Sequence, residues 1–116
     1  MFKRGEIYLA KLNPKKGDEV GKIRPVLIYQ TDFLNRVEHP TTSILPLSTQ
    51  LINDAFPLRF RVEKREKLEK DSDILIDQIR TIDNQRIFTD KLSELSKVEL
   101  LKVDNQVMKT LGIKIN

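Results

Sequence analysis

The feature of this sequence that most constrains its fold is the order of the predicted elements. Strand-like segments come first, and a single capped helix comes last. Turn-forming residues such as Asn, Asp, Gly and Pro separate the segments. The strand-like segments are Glu6–Leu12, Val26–Tyr29, Ser43–Ser48, Phe56–Val62 and Asp73–Ile82. Short strands followed by one helix are typical of a small, mostly β (α+β) domain, and a bent sheet of this size usually closes partly, which limits its exposed edges. We therefore expect a partly closed β barrel with a C-terminal helix.

Three of these segments give more detailed expectations. Val26–Tyr29 is continuously apolar, which is typical of a strand that is covered on both faces. Pro46 lies inside the third segment and cannot donate to a ladder, so it indicates a sheet edge or a bulge. The fourth segment alternates between apolar and polar residues, which predicts four inward side chains. They are Phe56, Leu58, Phe60 and Val62.

The C-terminal part has helical periodicity. Ser96 and Glu99 have the spacing of a capping box, and Gly112 stands where glycine commonly ends a helix. Between them apolar residues recur at helical spacing, which predicts a stripe packed against the core. The stripe consists of Leu100, Val103, Val107 and Leu111, widened by Leu101 and Met108.

The composition indicates one globular domain, residues 1–116, and narrows the chemistry that it can carry. The chain has no cysteine and one histidine, His39. Disulfides and thiolate zinc sites are therefore excluded, as are a histidine metal cluster and a pair of imidazoles within one chain. A site for a hard cation stays possible, because carboxylates are plentiful.

The charge and hydropathy of the chain bear on its partners. A net charge of +4 and a pI near 9.4 are compatible with a nucleic-acid partner, although plain soluble proteins also have such values. The sequence has no apolar run long enough to span a membrane, and its N-terminus lacks the core of a signal peptide. We therefore expect a cytoplasmic protein with no membrane partner.

A charged, glycine-containing loop leads into the second predicted strand. Gly17 and Gly21 allow tight turns, and Pro25 biases Arg24 toward extended backbone. A guanidinium held in this way at the mouth of a sheet can bind a phosphate through two parallel N–H donors. The alternative interpretation is an ordinary surface loop followed by a strand.

Polar side chains interrupt or end two of the apolar strands. Asp77, Gln78 and Arg80 lie inside the fifth segment, where a buried charge is costly unless it is paired. The third segment ends in the hydroxyls and amide of Ser48–Gln50. Each group also has a structural interpretation, such as a strand-end turn at Ser48 or a salt bridge at Asp77.

Three ordered motifs resemble those of the MazF/PemK (Kid) family of toxin–antitoxin endoribonucleases, and they cover nearly the whole chain. Arg4–Tyr8 is similar to the opening R-G-[DE]-[IV]-[YW], Gly17–Val26 to the loop G-x-E-x-x-x-x-R-P-V, and Asp77–Asp83 to the block D-Q-x-R-T-I-D. The resemblance implies a homodimer of SH3-like, partly closed barrels of the CcdB/PemK type. It also implies sequence-specific, ribosome-independent cleavage of single-stranded mRNA without metal or other cofactor, and inhibition by a cognate antitoxin with an acidic C-terminal segment.

The chemistry of such a reaction fits the available residues. RNA supplies its own nucleophile, the 2′-OH, whose attack gives a 2′,3′-cyclic phosphate and a 5′-OH end. The enzyme then needs a cation for the developing charge and a route for the proton. By resemblance, Arg24 has the place of the catalytic arginine. Ser48 falls where MazF proteins carry a catalytic threonine, and since Thr49 is adjacent, both hydroxyls are candidates.

The resemblance also implies supporting roles. Asp77 would orient an arginine or contact a base, and Glu19 would serve as a general base or a loop anchor. Leu75 stands where Kid-like members carry a catalytic arginine, which favours an arrangement of one arginine and one hydroxyl. The loops Asn13–Ile23 and Gln50–Ala55 are the expected base readers. The candidate RNA-binding residues are Lys15, Lys16, Asp18, Lys22, Gln50, Gln78 and Arg80.

Two other functions are compatible with the same barrel. One is a CcdB-like poison of DNA gyrase, which binds without catalysis; that class depends on an apolar-aromatic C-terminus, and Leu111–Asn116 has no aromatic residue. The other is a non-catalytic barrel in which the Arg24 loop only binds RNA phosphates. A shared fold does not decide between these functions.

Overall fold

One antiparallel sheet dominates residues 2–12, 17 and 22–114, the part of the chain that the computed structural model describes. In this part the strands are β1 (Glu6–Lys11), β2 (Ile23–Ile28), β3 (Thr41–Ser48), β4 (Arg59–Val62), β5 (Ser72–Leu75), β6 (Arg80–Asp83) and β7 (Ser93–Glu94), and the helices are α1 (Asp32–Arg36) and α2 (Lys97–Leu111). The sheet has the order β4-β5-β3-β2-β1-β7, and β6 also pairs with β3. It curls into a half-barrel with the C-terminal helix against it, so the predicted fold class is confirmed.

Pro46 lies in a central strand, so of the two predicted alternatives, a sheet edge or a bulge, the edge is wrong. One edge of β3 pairs with β2, and Val26 stands opposite Pro46. The other edge pairs first with β6, at residues 41–44, and then with β5, at residues 47 and 48. Pro46 therefore lies where β3 changes its neighbour, and a missing N–H is tolerated at such a break in the ladder.

Both faces of the sheet are buried, and alternation along the strands decides which residues face α2. Leu27 and Leu45 belong to a core cluster with Val103 and Val107 of α2. Val26, Ile28 and Ile44 belong to a second cluster on the opposite face. We call these the α2 face and the far face. The prediction that the second strand is covered on both sides is confirmed, because Val26, Leu27 and Ile28 are all fully buried.

The fourth and fifth predicted strands are shorter than the sequence indicates. Residues 53–58 form turns, so β4 begins only at Arg59 and Phe56 is 65% exposed. Leu58 is also exposed, and the prediction of inward side chains therefore fails for these two residues. A 3₁₀ turn at Ile76–Gln78 divides the fifth segment into β5 and β6, which pair with different parts of β3.

The C-terminal helix begins and ends where the sequence predicts. Ser96 and Glu99 form the reciprocal capping box, and Gly112 ends the helix in the left-handed conformation with φ 71°. The predicted stripe is wrong at Leu101, which is 67% exposed, and at Leu111 in the last turn, which is also exposed. Gln106 takes up part of the inward face, and its amide donates to the carbonyls of Pro57 and Arg59, both at 2.9 Å.

No helix in the described part of the chain is long and apolar enough to cross a membrane.

An ion pair on the helix cap makes stability depend on pH. Arg65 donates to both carboxylate oxygens of Glu99, at 2.7 and 2.8 Å, and lowers the pKa of Glu99 from 4.5 to about 2. Since the pKa is lower in the folded state, this stabilisation is present above pH 4.5 and is lost as the pH falls toward 2. We expect Glu99→Gln to lower the free energy of unfolding at pH 7 by about 1–2 kcal/mol, through loss of the ion pair and the cap.

Urea unfolding at a series of pH values measures this effect. The Glu99→Gln protein should lose less stability between pH 4.5 and pH 2 than the wild type, because it lacks the group that titrates there. Glu69→Gln, which changes an exposed glutamate, is the control and should follow the wild type. Parallel curves for Glu99→Gln and the wild type would contradict the assignment.

Candidate active site

Strand alternation places Arg24 and Ser48 on the same face of the sheet. The register of β2 and β3 sets Val26 opposite Pro46 and Leu27 opposite Leu45. Opposite residues of an antiparallel pair share a face, and the face alternates along each strand. Arg24 lies two residues before Val26, and Ser48 lies two residues after Pro46. Val26 belongs to the far face, so Arg24 and Ser48 belong to it as well.

The same alternation separates the two candidate hydroxyls. Thr49 is exposed and, together with Leu9 and Pro25, lines a cavity of about 270 Å³. This cavity also contains Leu68 and Leu92, which pack with the α2-face cluster. Thr49 therefore lies on the side of the sheet opposite to Arg24, whereas Ser48 shares the face of Arg24.

Ser48 is held by the backbone that follows it. Its side chain is buried at the end of β3, with 6% of the residue exposed, and its Oγ accepts the N–H of Gln50 at 3.1 Å. Because the hydroxyl acts as the acceptor in this bond, it keeps its own proton for donation to another group. The arrangement provides a fixed hydroxyl on the same face of the sheet as Arg24.

A second predicted arginine lies on the same face. Arg80 of β6 stands directly opposite Ile44 of β3 and is half-buried. It therefore shares the far face with Arg24 and Ser48. Two guanidinium groups and a hydroxyl on one face form a surface that suits a phosphate, because arginine binds phosphate oxygens in a bidentate manner.

The remaining predicted residues are distributed around this face. Asp77 and Gln78 lie in the 3₁₀ turn between β5 and β6, the first exposed and the second half-buried. Gln50 is exposed just beyond Ser48. Lys22 is exposed before β2, and its carbonyl accepts the N–H of Leu12 at 2.8 Å, one residue beyond the pair of Lys11 and Ile23.

Four predicted residues lie outside the described residues. They are Lys15, Lys16, Asp18 and Glu19.

The structure adds a charged cluster that the sequence analysis missed. Asp73 of β5 is 1% exposed and stands directly opposite Ser48. Its Oδ1 accepts from Arg61 Nε at 2.5 Å, and its Oδ2 accepts from Arg59 Nη1 at 3.2 Å and from the N–H of Ile52 at 2.9 Å. Burial alone would raise the pKa of Asp73, but these donors outweigh it and hold the pKa below its usual value.

Leu75 is buried at the end of β5, with 2% of the residue exposed, and its side chain carries no charge. Its direct partner across the strands is Arg59. In the described part of the chain, no three His, Cys, Asp or Glu side chains are grouped to hold a metal ion.

The family model for PemK-like, MazF-like toxins of type II toxin–antitoxin systems matches residues 3–111. The chain belongs to this family. It is 40% identical, over 114 residues, to the Endoribonuclease MazF of Staphylococcus epidermidis, which covers 97% of this chain and 93% of the relative. The family predicted from the three sequence motifs is therefore confirmed.

Solved structures of more distant proteins share the fold. The Mycobacterium tuberculosis toxin MazF-mt6 superposes with a TM-score of 0.77 at 18% identity, covering 95% of this chain and 99% of that one. An endoribonuclease from a mycobacterial species, solved in complex with its cognate antitoxin, gives a TM-score of 0.77 at 19% identity over the full length of both chains. These likenesses confirm the half-barrel with a C-terminal helix as the family fold.

Proposed function

We propose that this toxin is a sequence-specific endoribonuclease that cleaves single-stranded mRNA, independently of metal and of the ribosome. The observation that carries the proposal is that Arg24, Ser48 and Arg80 share the far face of the sheet. The 40% identity to an Endoribonuclease MazF over nearly the whole chain supports the same activity.

The proposed reaction is an internal transesterification. The 2′-OH attacks the adjacent phosphorus, the bond from phosphorus to O5′ breaks, and the products are a 2′,3′-cyclic phosphate and a 5′-OH end. Arg24 stabilises the negative charge that develops on the phosphate, and Ser48 donates a hydrogen bond to one of its oxygens. The 2′-OH gives its proton to a base, for which Glu19 is the candidate, and the departing O5′ takes a proton from solvent water.

Recognition of the RNA falls to the groups around this face. We assign phosphate contacts to Arg80 and to the lysines of the loop before β2, and base contacts to Gln50 and Gln78, whose amides have both donors and acceptors. Asp77, which is exposed in the 3₁₀ turn, accepts from a base or orients Arg80. The lysines are Lys15, Lys16 and Lys22, and Asp18 of the same loop contributes an acceptor.

The proposed partners follow from the family. We propose that the toxin acts as a homodimer in the cytoplasm, where mRNA is found, and that a cognate antitoxin inhibits it through an acidic C-terminal segment. The related mycobacterial endoribonuclease was solved with its antitoxin, which supports a protein inhibitor. The net charge of +4 favours acidic partners in general.

A cleavage assay in excess EDTA tests the proposal. Purified protein is incubated with a long RNA that has paired and unpaired regions, and the ends are mapped and tested for 5′-OH. We expect cuts at a recurring short motif in unpaired regions, with the rate unchanged by EDTA. Salt-sensitive RNA binding without cuts would instead favour a non-catalytic barrel, and gyrase-dependent DNA breakage without cuts would favour a gyrase poison.

A further inference from the structure

The charged cluster of Asp73, Arg59 and Arg61 fastens the loop that follows Ser48. Besides its contact with Asp73, Arg59 donates to the carbonyl of Gln50 at 2.9 Å. Arg61 likewise donates through Nη2 to Oδ1 of Asn53 at 2.9 Å. Asp73 itself accepts the N–H of Ile52. We call these three residues the loop clamp, because their contacts attach residues 50, 52 and 53 to the sheet.

The loop needs such an attachment. It covers residues 49–58 between β3 and β4, and apart from turns it has no regular structure. A segment of this kind loses much conformational entropy when it is fixed. The buried carboxylate of Asp73 compensates for this loss, since moving the loop away would remove the Ile52 donor from a charge that is almost fully buried.

The exposed side chains of the loop are suited to contact bases. Gln50 offers an amide, and Leu51, Ile52 and Phe56 present apolar surface to solvent. Bases stack on aromatic and apolar side chains, and amides read their hydrogen-bonding edges. The loop starts directly at Ser48, so a base held by it lies close to the proposed scissile phosphate.

We infer that Asp73 is a positioning residue that determines the sequence specificity of cleavage by fixing this loop through Arg59 and Arg61. This inference rests on the proposed endoribonuclease function. Asp73 does not touch the RNA, because it is almost fully buried and its oxygens face protein donors. It acts through the loop conformation in which Gln50, Leu51 and Ile52 are presented to solvent.

Asp73→Asn tests this role, because it keeps the shape of the side chain and removes its charge. We expect the variant to cut the long RNA at many sites beyond the wild-type motif, since the loop takes up several conformations. For an oligonucleotide with the wild-type motif, KM should rise about tenfold while kcat falls less, because binding is lost rather than transition-state contact. Mapping of all 5′-OH ends and steady-state kinetics measure the two effects.

Two further variants separate specificity from stability. Arg59→Met removes the donor to the carbonyl of Gln50, and the Arg59 side chain is partly exposed, so its replacement disturbs the core less. This variant should broaden the cut sites in the same way, even if Asp73→Asn fails to fold. Arg65→Gln breaks the ion pair with Glu99, away from this loop, and should lower the melting temperature while leaving the cut sites unchanged.

The outcomes separate this inference from the function on which it rests. Wild-type cut sites and KM in both folded clamp variants would overturn the role of the clamp while the endoribonuclease function stands. Broadened sites in Arg65→Gln as well would show that general destabilisation is the cause, which also overturns it. Wild-type protein that does not cut RNA would overturn the proposed function and this inference with it.

Discussion

Arg24→Ala is expected to reduce RNA cleavage about 10³-fold, because a fixed cation that meets the developing phosphate charge contributes several kcal/mol to the transition state. The side chain is half-buried on β2 and shares the far face with Ser48. The loss should appear in the single-turnover rate on an oligonucleotide with the wild-type motif. RNA binding should weaken far less, since Arg80 and the loop lysines remain in place.

Arg36→Ala is the matched control for this experiment. Arg36 is exposed in the last turn of α1, so the substitution removes the same charge outside the proposed site. We expect its cleavage rate to stay within a few-fold of the wild type at equal salt. A folded Arg24→Ala protein with the activity of the wild type would refute the catalytic role of Arg24.

Ser48→Ala is expected to lower the cleavage rate by about 10- to 100-fold, which corresponds to the loss of one hydrogen bond to a charged phosphate oxygen. The hydroxyl is held on the face of Arg24 by the N–H of Gln50 and retains its proton for donation. The same single-turnover assay measures the loss. Ser48→Thr should keep most of the activity, because it keeps the hydroxyl.

Thr49→Ala distinguishes the two adjacent hydroxyls. Thr49 is exposed toward the cavity near Leu9 and Pro25, on the other side of the sheet. We therefore expect its removal to leave the rate within about threefold of the wild type, as for a surface substitution. A large loss in Thr49→Ala with little loss in Ser48→Ala would reverse the assignment.

Local patterns predict much of this fold. The apolar run of β2 correctly indicates a strand buried on both faces, and the capping box at Ser96 and Gly112 correctly mark the ends of α2. These signals are reliable because each depends on residues that are close in sequence. A cap needs a hydroxyl and a carboxyl three residues apart, and a glycine relieves strain at its own position.

Local patterns fail where distant parts of the chain decide the structure. Phe56 and Leu58 alternate like strand residues, but the turns at residues 53–58 leave them exposed. The run from Asp73 to Ile82 is continuously strand-like, yet β3 pairs with its two halves at different positions. Pro57 in the first segment and the polar Asp77 and Gln78 in the second mark these places, but only the pairing with distant strands decides that the strands break there.

The candidate site shows the same difference between what local patterns predict and what distant contacts decide. Motifs point to Arg24 and Ser48, but only the register of β2 and β3 places these two residues on one face, and Thr49 lies on the other side. Asp73 was missed because a single acid before an apolar run is common at strand ends. The alternation of Arg59 and Arg61 around Phe60 on β4 was the available signal, but it gains meaning only once β4 pairs with β5.

The amide of Gln106 in α2 has a consequence for how this protein can diversify. It binds the carbonyls of Pro57 and Arg59, at the end of the loop opposite to the contacts made by Asp73. The residues between these two anchorages, 54–56, carry none of the anchoring side chains. We therefore expect that evolution or laboratory selection can replace residues 54–56 within the same framework and so change the RNA preference that we propose for this loop.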